Sequence, residues 1–254
     1  MRPSATVRRH GVARVLSKLG LASRTVAAGW VQAGRVSVNG RVVRDPEHPV
    51  VQGRDRVAVD GRAVAATERV YVALHKPRGL VTTARDEQGR DTVYRCLAGG
   101  DLPWLAPVGR LDKASEGLLL FGNDPGWAAR LTTPATGPLK TYHVQVDRVP
   151  EAAQVAEMVA GVTVDGEHLA ARAAELLRTG NRQAWLVIVL DEGRNRHIRR
   201  LLGALGLEVQ RLVRVAIGGL VLGELRQGEW RRLTPEDLAT LDQDAPRGIL
   251  SSEP

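Results

Sequence analysis

Leu16-Ser17-Lys18-Leu19-Gly20-Leu21-Ala22-Ser23-Arg24, continued by Ala33-Gly34-Arg35-Val36-Ser37-Val38-Asn39-Gly40, sets the architecture of the first quarter of the chain. Arg14 to Leu19 reads as a short helix ending at Gly20, a residue favoured just past a helix end. Ser23 is placed to cap a second helix over Arg24 to Ala33, and Gly34 closes it. Val36 and Val38 then alternate with polar neighbours up to Asn39-Gly40, a strong two-residue hairpin signal, and Val42-Val43 return. A helix, a cap, a second helix and a hairpin make a small folded module. The other reading of an Arg-rich, acid-poor start is a mitochondrial transit peptide, which has no use for a hairpin.

Charge separates this module from the rest of the chain. Of 36 basic residues, twelve fall before residue 67, against only Asp45, Glu47, Asp55 and Asp60. The remainder is balanced, so the whole net charge of +8 sits in the first quarter, and no acid precedes Asp45. Localised positive charge suits a polyanion-binding module joined to a neutral body. With 254 residues the chain is long enough for two domains of about 100–200 residues each. Its 43% apolar and 25% charged residues describe an ordinary globular protein. A lone cysteine, Cys96, excludes an internal disulfide framework and a Cys-rich zinc site. Apolar runs such as Leu186 to Leu190 are far below the roughly 20 residues of a membrane span. No secretory signal pattern is seen at the start. The expected setting is cytoplasmic, and nothing in the pattern demands more than a monomer.

The module resembles the RNA-binding domain of the ribosomal S4 type over roughly residues 10–60, with helix, cap, helix and hairpin in the expected order. The resemblance implies that Arg14, Lys18, Arg24 and Arg35 face RNA phosphates. Such contacts supply affinity and salt dependence but no sequence discrimination.

Residues 61–69 read as a connector. Val70 to His75 then forms a strand that breaks at Lys76-Pro77-Arg78-Gly79. Further strands are expected at Leu118 to Phe121, Thr141 to Val146, Ala184 to Leu190 and Val209 to Val215. Helices are expected to start at Asp124-Pro125, Pro150-Glu151 and Thr234-Pro235, each with a cap or first-turn proline. Because these do not alternate as βαβ units, the body is expected to be α+β, a mainly antiparallel mixed sheet with flanking helices. The expected division is 8–62 for the RNA-binding module, 63–69 for the linker, 70–242 for the body, and 243–254 for a polar, disordered tail.

Absences narrow the chemistry. Six histidines show no HxxxH or HxH spacing, so no metal centre is expected. Triphosphate and dinucleotide loops are missing, as is a GxSxG elbow. Catalysis, if any, should run on carboxylate, Arg, Tyr or Lys without a cofactor.

Three features remain. Asp112 lies in Gly109-Arg110-Leu111-Asp112-Lys113-Ala114-Ser115-Glu116-Gly117, a polar loop leading into the apolar Leu118-Leu119-Leu120-Phe121. It is either a turn aspartate or a reactive group held on a rigid scaffold. In Glu192 to Leu202, read as a helix, Ile198, Leu201, Leu202 and Leu205 form one stripe. Arg196 and Arg200 point away from it, and Arg199 sits on its flank, placed to be half-buried beside a partner. Arginines near a helix N-terminus oppose the dipole, so either an anion is expected there or the face is simply solvated. Period two puts Tyr142, Val144 and Val146 on one strand face, making Tyr142 a core or cleft aromatic.

Taken in order, these segments resemble the pseudouridine synthases of the RsuA/RluB type. The matching residues are Lys76 to Gly79, Gly109 to Asp112 with Ser115 and Gly117 to Leu120, Asn123-Asp124, Lys140-Thr141-Tyr142, and Glu192 to Arg200. With the basic module the likeness spans about residues 10–240. Gly122, His197 and Thr133 depart from the usual Thr, Gln and His. The resemblance implies isomerisation of uridine to pseudouridine in ribosomal RNA, without metal, cofactor or membrane. Asp112 would start glycosidic cleavage as nucleophile or by removing a ribose proton. Tyr142 would stack on the base, and Arg199 would pair with Asp112 and favour its charged form. Candidate phosphate contacts are Lys76, Arg196 and Arg200, with Arg110 holding the rearranged backbone. The attached module makes rRNA the expected target, the large-subunit molecule slightly ahead of the small. The competing reading is a non-catalytic RNA-binding or ribosome-associated protein, which has no need for Asp112, Tyr142 and Arg199 to converge.

Overall fold

A computed structural model describes residues 9–84, 86–134 and 136–245. The chain divides into two compact units, one of residues 1–70 with 101–106 and 122–126, the other of the remainder.

In the first unit β1 (His10–Gly11) leads into α1 (Val12–Lys18) and α2 (Arg24–Gln32), followed by β2 (Val36–Val38), β3 (Arg41–Val43), β4 (Pro49–Val50), β5 (Val57–Val59) and β6 (Arg62–Ala63). The Ser23 side chain accepts a hydrogen bond from the Val26 amide, so the expected cap is made. The Asn39-Gly40 turn has φ of 51° and 81°, which is why a two-residue connection can return the chain with the strands' own twist. Strand order is β3-β2-β5-β6, with β1 on β4. Val12, Leu16, Ala27, Val31, Val36 and Val50 are fully buried and form the core under the two helices. The expected linker 63–69 is shorter and tighter than a linker: Ala63 is the last residue of β6, and the Thr67 amide and hydroxyl both donate to Leu19 O. Asn123 continues the anchorage, accepting from the Val70 amide and donating to Glu68 O, both at 2.8 Å.

The second unit is built on β7 (Tyr71–Lys76), β8 (Ala106–Val108), β9 (Glu116–Gly122), α3 (Pro125–Thr132), β10 (Lys140–Val146), α4 (Ala152–Ala160), β11 (Val162–Val164), β12 (Glu167–Leu169), β13 (Ala173–Thr179), β14 (Ala184–Leu190), α5 (His197–Ala204), β15 (Val209–Ile217), β16 (Leu220–Val221), β17 (Trp230–Arg232) and α6 (Pro235–Thr240). The main sheet runs β13-β14-β10-β15-β9-β7-β17, with β16 on β15 and β8 on β9. Strand pairs β10/β14, β10/β15, β13/β14 and β7/β17 are antiparallel, and β15/β9 is parallel. This is the mixed, mainly antiparallel sheet expected. All seven residues of β9 are buried, which explains its unbroken Leu-Leu-Leu-Phe run. Trp127 and Leu131 of α3 pack with Leu118, Leu120, Ile217, Leu220 and Leu241 on one side of the sheet.

Several segments differ from expectation, among them the short strands β8, β16 and β17. The β11–β12 hairpin and β13 were not foreseen. The start of the tail is tied down, since Arg130 donates to Asp242 at 2.5 Å and the Gln243 amide to Thr240 O. Residues 246–254 of the expected tail, and residue 8 of the expected module, lie outside the described residues. Among the described residues no helix is long and apolar enough to cross a membrane.

Candidate active site

The loop between β8 and β9 carries Asp112, half-buried, and its backbone is held from every side. Thr82 Oγ1 donates to Leu111 O (2.7 Å), the Ser115 amide to Asp112 O (3.0 Å) and the Gly79 amide to Lys113 O (2.8 Å). Arg199 Nη2 donates to Ala114 O (3.3 Å) and Lys76 Nζ to Ser115 O (2.7 Å). Five successive carbonyls thus each accept a hydrogen bond, a degree of satisfaction that fixes a turn without regular secondary structure. Where the loop enters β9, Gly117 (φ 106°) lies against β15. A Cβ there would stand 2.3 Å from Arg214 O, so only glycine permits the parallel pairing of Gly117 with Arg214.

Asp112, Tyr142 and Arg199 all line one cleft of about 360 Å³. They come from the loop before β9, from central strand β10 and from α5. A second cleft of about 430 Å³ adjoins the first and shares Arg110, Leu111, Asp112 and Asn195 with it. Asp112 therefore sits where the two meet. Tyr142 is 8% exposed on the cleft wall, cross-strand from Arg214. Arg110 and Arg196 are exposed on the cleft rim, and Arg196 adopts a left-handed conformation (φ 49°) at the start of α5.

Three expected contacts are corrected. Lys76 is not a phosphate ligand. It is fully buried and donates to Pro77 O and Ser115 O, and burial pushes its ammonium down to about 8 against the pull of Glu116 and Asp112. Its reach is inward because β7 continues through residue 76 instead of breaking there. Arg199 makes no ion pair with Asp112 among the described ion pairs. Its guanidinium is held by Val209 O (2.9 Å) and Ala114 O (3.3 Å), so it grips the backbone beside the acid. Burial first, then Arg196, lower its pKa, while Asp112 raises it through space. Arg200 is not free for phosphate. It pairs with Glu167 at 2.5 Å and donates to Val164 O of the unforeseen hairpin. Arg194 likewise meets Glu192 (2.7 Å) and Glu167 (3.2 Å), so internal acids supply much of the anion that the arginine-rich helix start called for.

In the first unit Arg14 is exposed on α1. Lys18 Nζ lies 3.4 Å from the His10 ring, Arg24 meets Glu47 at 3.2 Å, and Arg35 makes a two-pronged contact with Asp60 at 2.5 and 3.0 Å while lying over Trp30. These last two pairs are solvent-exposed, the kind worth about 0–1 kcal/mol and easily exchanged for another anion.

Arg214 was missed by sequence reading. It is 5% exposed, donates from Nε to Leu118 O (2.7 Å), and lines the cleft. A charged residue inside the apolar run Leu212-Val213-Arg214-Val215 was the signal. Glu116, also buried, is matched by Arg211 (2.7 Å) and Gln227 (2.6 Å). Among the described residues no group of three or more His, Cys, Asp or Glu side chains could hold a metal ion.

Comparison with known proteins agrees with this geometry. Residues 70–204 match the family model described as RNA pseudouridylate synthase, and residues 12–57 match the S4 domain. A ribosomal large subunit pseudouridine synthase B of Bacillus subtilis is 35% identical over 92% of this chain and 96% of its own length. An uncharacterized RNA pseudouridine synthase of Aquifex aeolicus is 36% identical over 90% of this chain and 92% of its own. A solved pseudouridylate synthase superposes with a TM-score of 0.64 at 29% identity, covering 91% of this chain and 99% of that one.

Proposed function

The chain belongs to the RNA pseudouridylate synthase family, with an S4 domain ahead of the synthase body, and from that premise we propose that it isomerises a uridine of ribosomal RNA to pseudouridine through Asp112. The observation that carries the proposal is the convergence of Asp112, Tyr142 and Arg199, from three distant segments, on one cleft. A simple RNA-binding protein has no need of that convergence.

In the proposed reaction the target uridine leaves its stack at a cost of a few kcal/mol, which basic contacts along the RNA offset. Tyr142 stacks on the ring. Asp112 starts cleavage of the bond between C1′ and N1, by attack at C1′ or by taking a ribose proton, and the bonding pair passes to the ring. The uracil turns and C5 bonds to C1′ as the Asp112 carboxylate leaves C1′, or gives its proton back to the ribose; the C5 proton is lost and N1 gains one, so the reaction is a balanced isomerisation needing no cofactor. Arg199 keeps the Asp112 loop in place by gripping Ala114 O. Arg110 and Arg196, exposed on the rim, meet the flanking backbone. Residues 8–62, with Arg14, Lys18, Arg24 and Arg35, capture RNA, and 70–242 do the chemistry in a cytoplasmic protein acting as a monomer. The name of the Bacillus relative supports the large-subunit rRNA as the target.

Carbodiimide-stop mapping of rRNA transcripts incubated with the protein tests this. One new stop at a uridine is expected. Failure of every cellular RNA to gain pseudouridine would leave only the binding role.

A further inference from the structure

Arg214 has one guanidinium nitrogen, Nη2, buried without a hydrogen-bond partner. Its Nε is fixed on Leu118 O, so the group's orientation is set by the sheet. Lys140 lines the same cleft, and among the described ion pairs none involves either cation. An unpaired buried cationic donor is costly, and a cleft that keeps one is incomplete until something accepts from it.

Tyr142 and Arg214 are direct partners in the β10/β15 register, which places their side chains on the same sheet face, about 5 Å apart at Cβ. An aromatic ring offers a stacking surface, while a guanidinium beside it reaches the edge of whatever is stacked. At 5% exposure Arg214 sits deep in the wall of the cleft, a position that suits a base turned inward better than a backbone phosphate. A guanidinium has donors only. On a pyrimidine edge it therefore selects a carbonyl oxygen.

Resting on the synthase reading above, we propose that the Arg214 guanidinium donates a hydrogen bond to a carbonyl oxygen of the target uracil. When the bond from C1′ to N1 breaks, its electron pair spreads over N1, O2 and O4. The contact then strengthens as charge develops, and a donor placed where charge appears acts chiefly on rate. If the oxygen is O4, the same contact rejects cytidine, whose amino group at that position is itself a donor.

The test uses full-length protein and an rRNA transcript that it modifies, made with uridine, 2-thiouridine or 4-thiouridine, sulfur being the weaker acceptor. Single-turnover rate and RNA affinity are measured for the wild type, Arg214→Met and Arg214→Lys. One thio substitution, identifying O2 or O4, should slow the wild type. Arg214→Met should lose about 10²-fold in rate with affinity unchanged. The thio effect should vanish in Arg214→Met, a coupling that a purely structural arginine would not show, and Arg214→Lys, which keeps donors, should recover part of the rate. Equal rates on all three RNAs in the wild type overturn the proposal without recourse to any variant, as does a thio effect that persists in full in Arg214→Met. A wild type that makes no pseudouridine in any RNA sinks the synthase reading itself.

Discussion

Lys76 Nζ lies 2.7 Å from the carbonyl oxygen of Ser115, three residues beyond Asp112, and has no exposure to solvent. A lysine expected to greet RNA instead braces the loop that bears the acid.

Lys76→Met should therefore reduce turnover while leaving RNA affinity intact, because two carbonyls lose their donor and the loop loosens. It should also change the pH dependence of stability. The folded-state value of about 8 is below the ordinary 10.5, so the folded protein sheds this proton before the unfolded chain does. Below pH 8 both states hold the proton and the burial cost is full; from pH 8 to 10.5 stability rises, by at most about 1.4 kcal/mol per pH unit. Urea melts of the wild type and Lys76→Met across that window should diverge in this sense; parallel curves would contradict the assignment.

Asp112→Asn keeps shape and hydrogen-bonding capacity but removes the charge. Pseudouridine formation should disappear while filter binding of rRNA survives. Residual turnover at the wild-type rate would remove Asp112 from the reaction.

Gly117→Ala should destabilise the fold by more than about 3 kcal/mol, the upper part of the ordinary single-substitution range. The new methyl would meet the backbone of Arg214, which cannot move without breaking the β9/β15 pairing. A urea midpoint close to the wild type would show that the two strands can part cheaply.

In the S4 domain, Arg14→Ala should weaken RNA binding and reduce the slope of log affinity against log salt by about 1. Arg35→Ala should cost less, since Arg35 must first leave Asp60. Removing residues 1–60 should weaken capture most at low salt, where phosphate contacts contribute most, and should flatten the salt dependence further. Equal rates for the full-length and shortened proteins on long RNA would count against a capture role.

Much of the fold was legible because its signals are local. Ser23 as a cap, Asn39-Gly40 as a turn and the Val-rich β14 each depend on near neighbours in sequence. β13 was not legible. Ala-Ala-Glu-Leu-Leu-Arg-Thr is rich in good helix formers and becomes a strand only because β14 pairs with it. In the site, the sequence brought out Asp112, Tyr142 and Arg199, which line one cleft, but not what their neighbours do. Whether Lys76 turns inward, or Arg200 finds Glu167, depends on contacts 39 and 33 residues away along the chain. A basic residue in a motif says that charge is wanted, not on which side of the backbone.

The five braced carbonyls from Leu111 to Ser115 have a consequence for engineering. Their donors include Lys76, Gly79, Thr82 and Arg199, so the shape of the loop is stored in other segments of the protein. Transplanting residues 109–117 into a foreign scaffold would carry over the acid but not its posture. A working graft has to bring the β7 turn and the start of α5 along as one cassette.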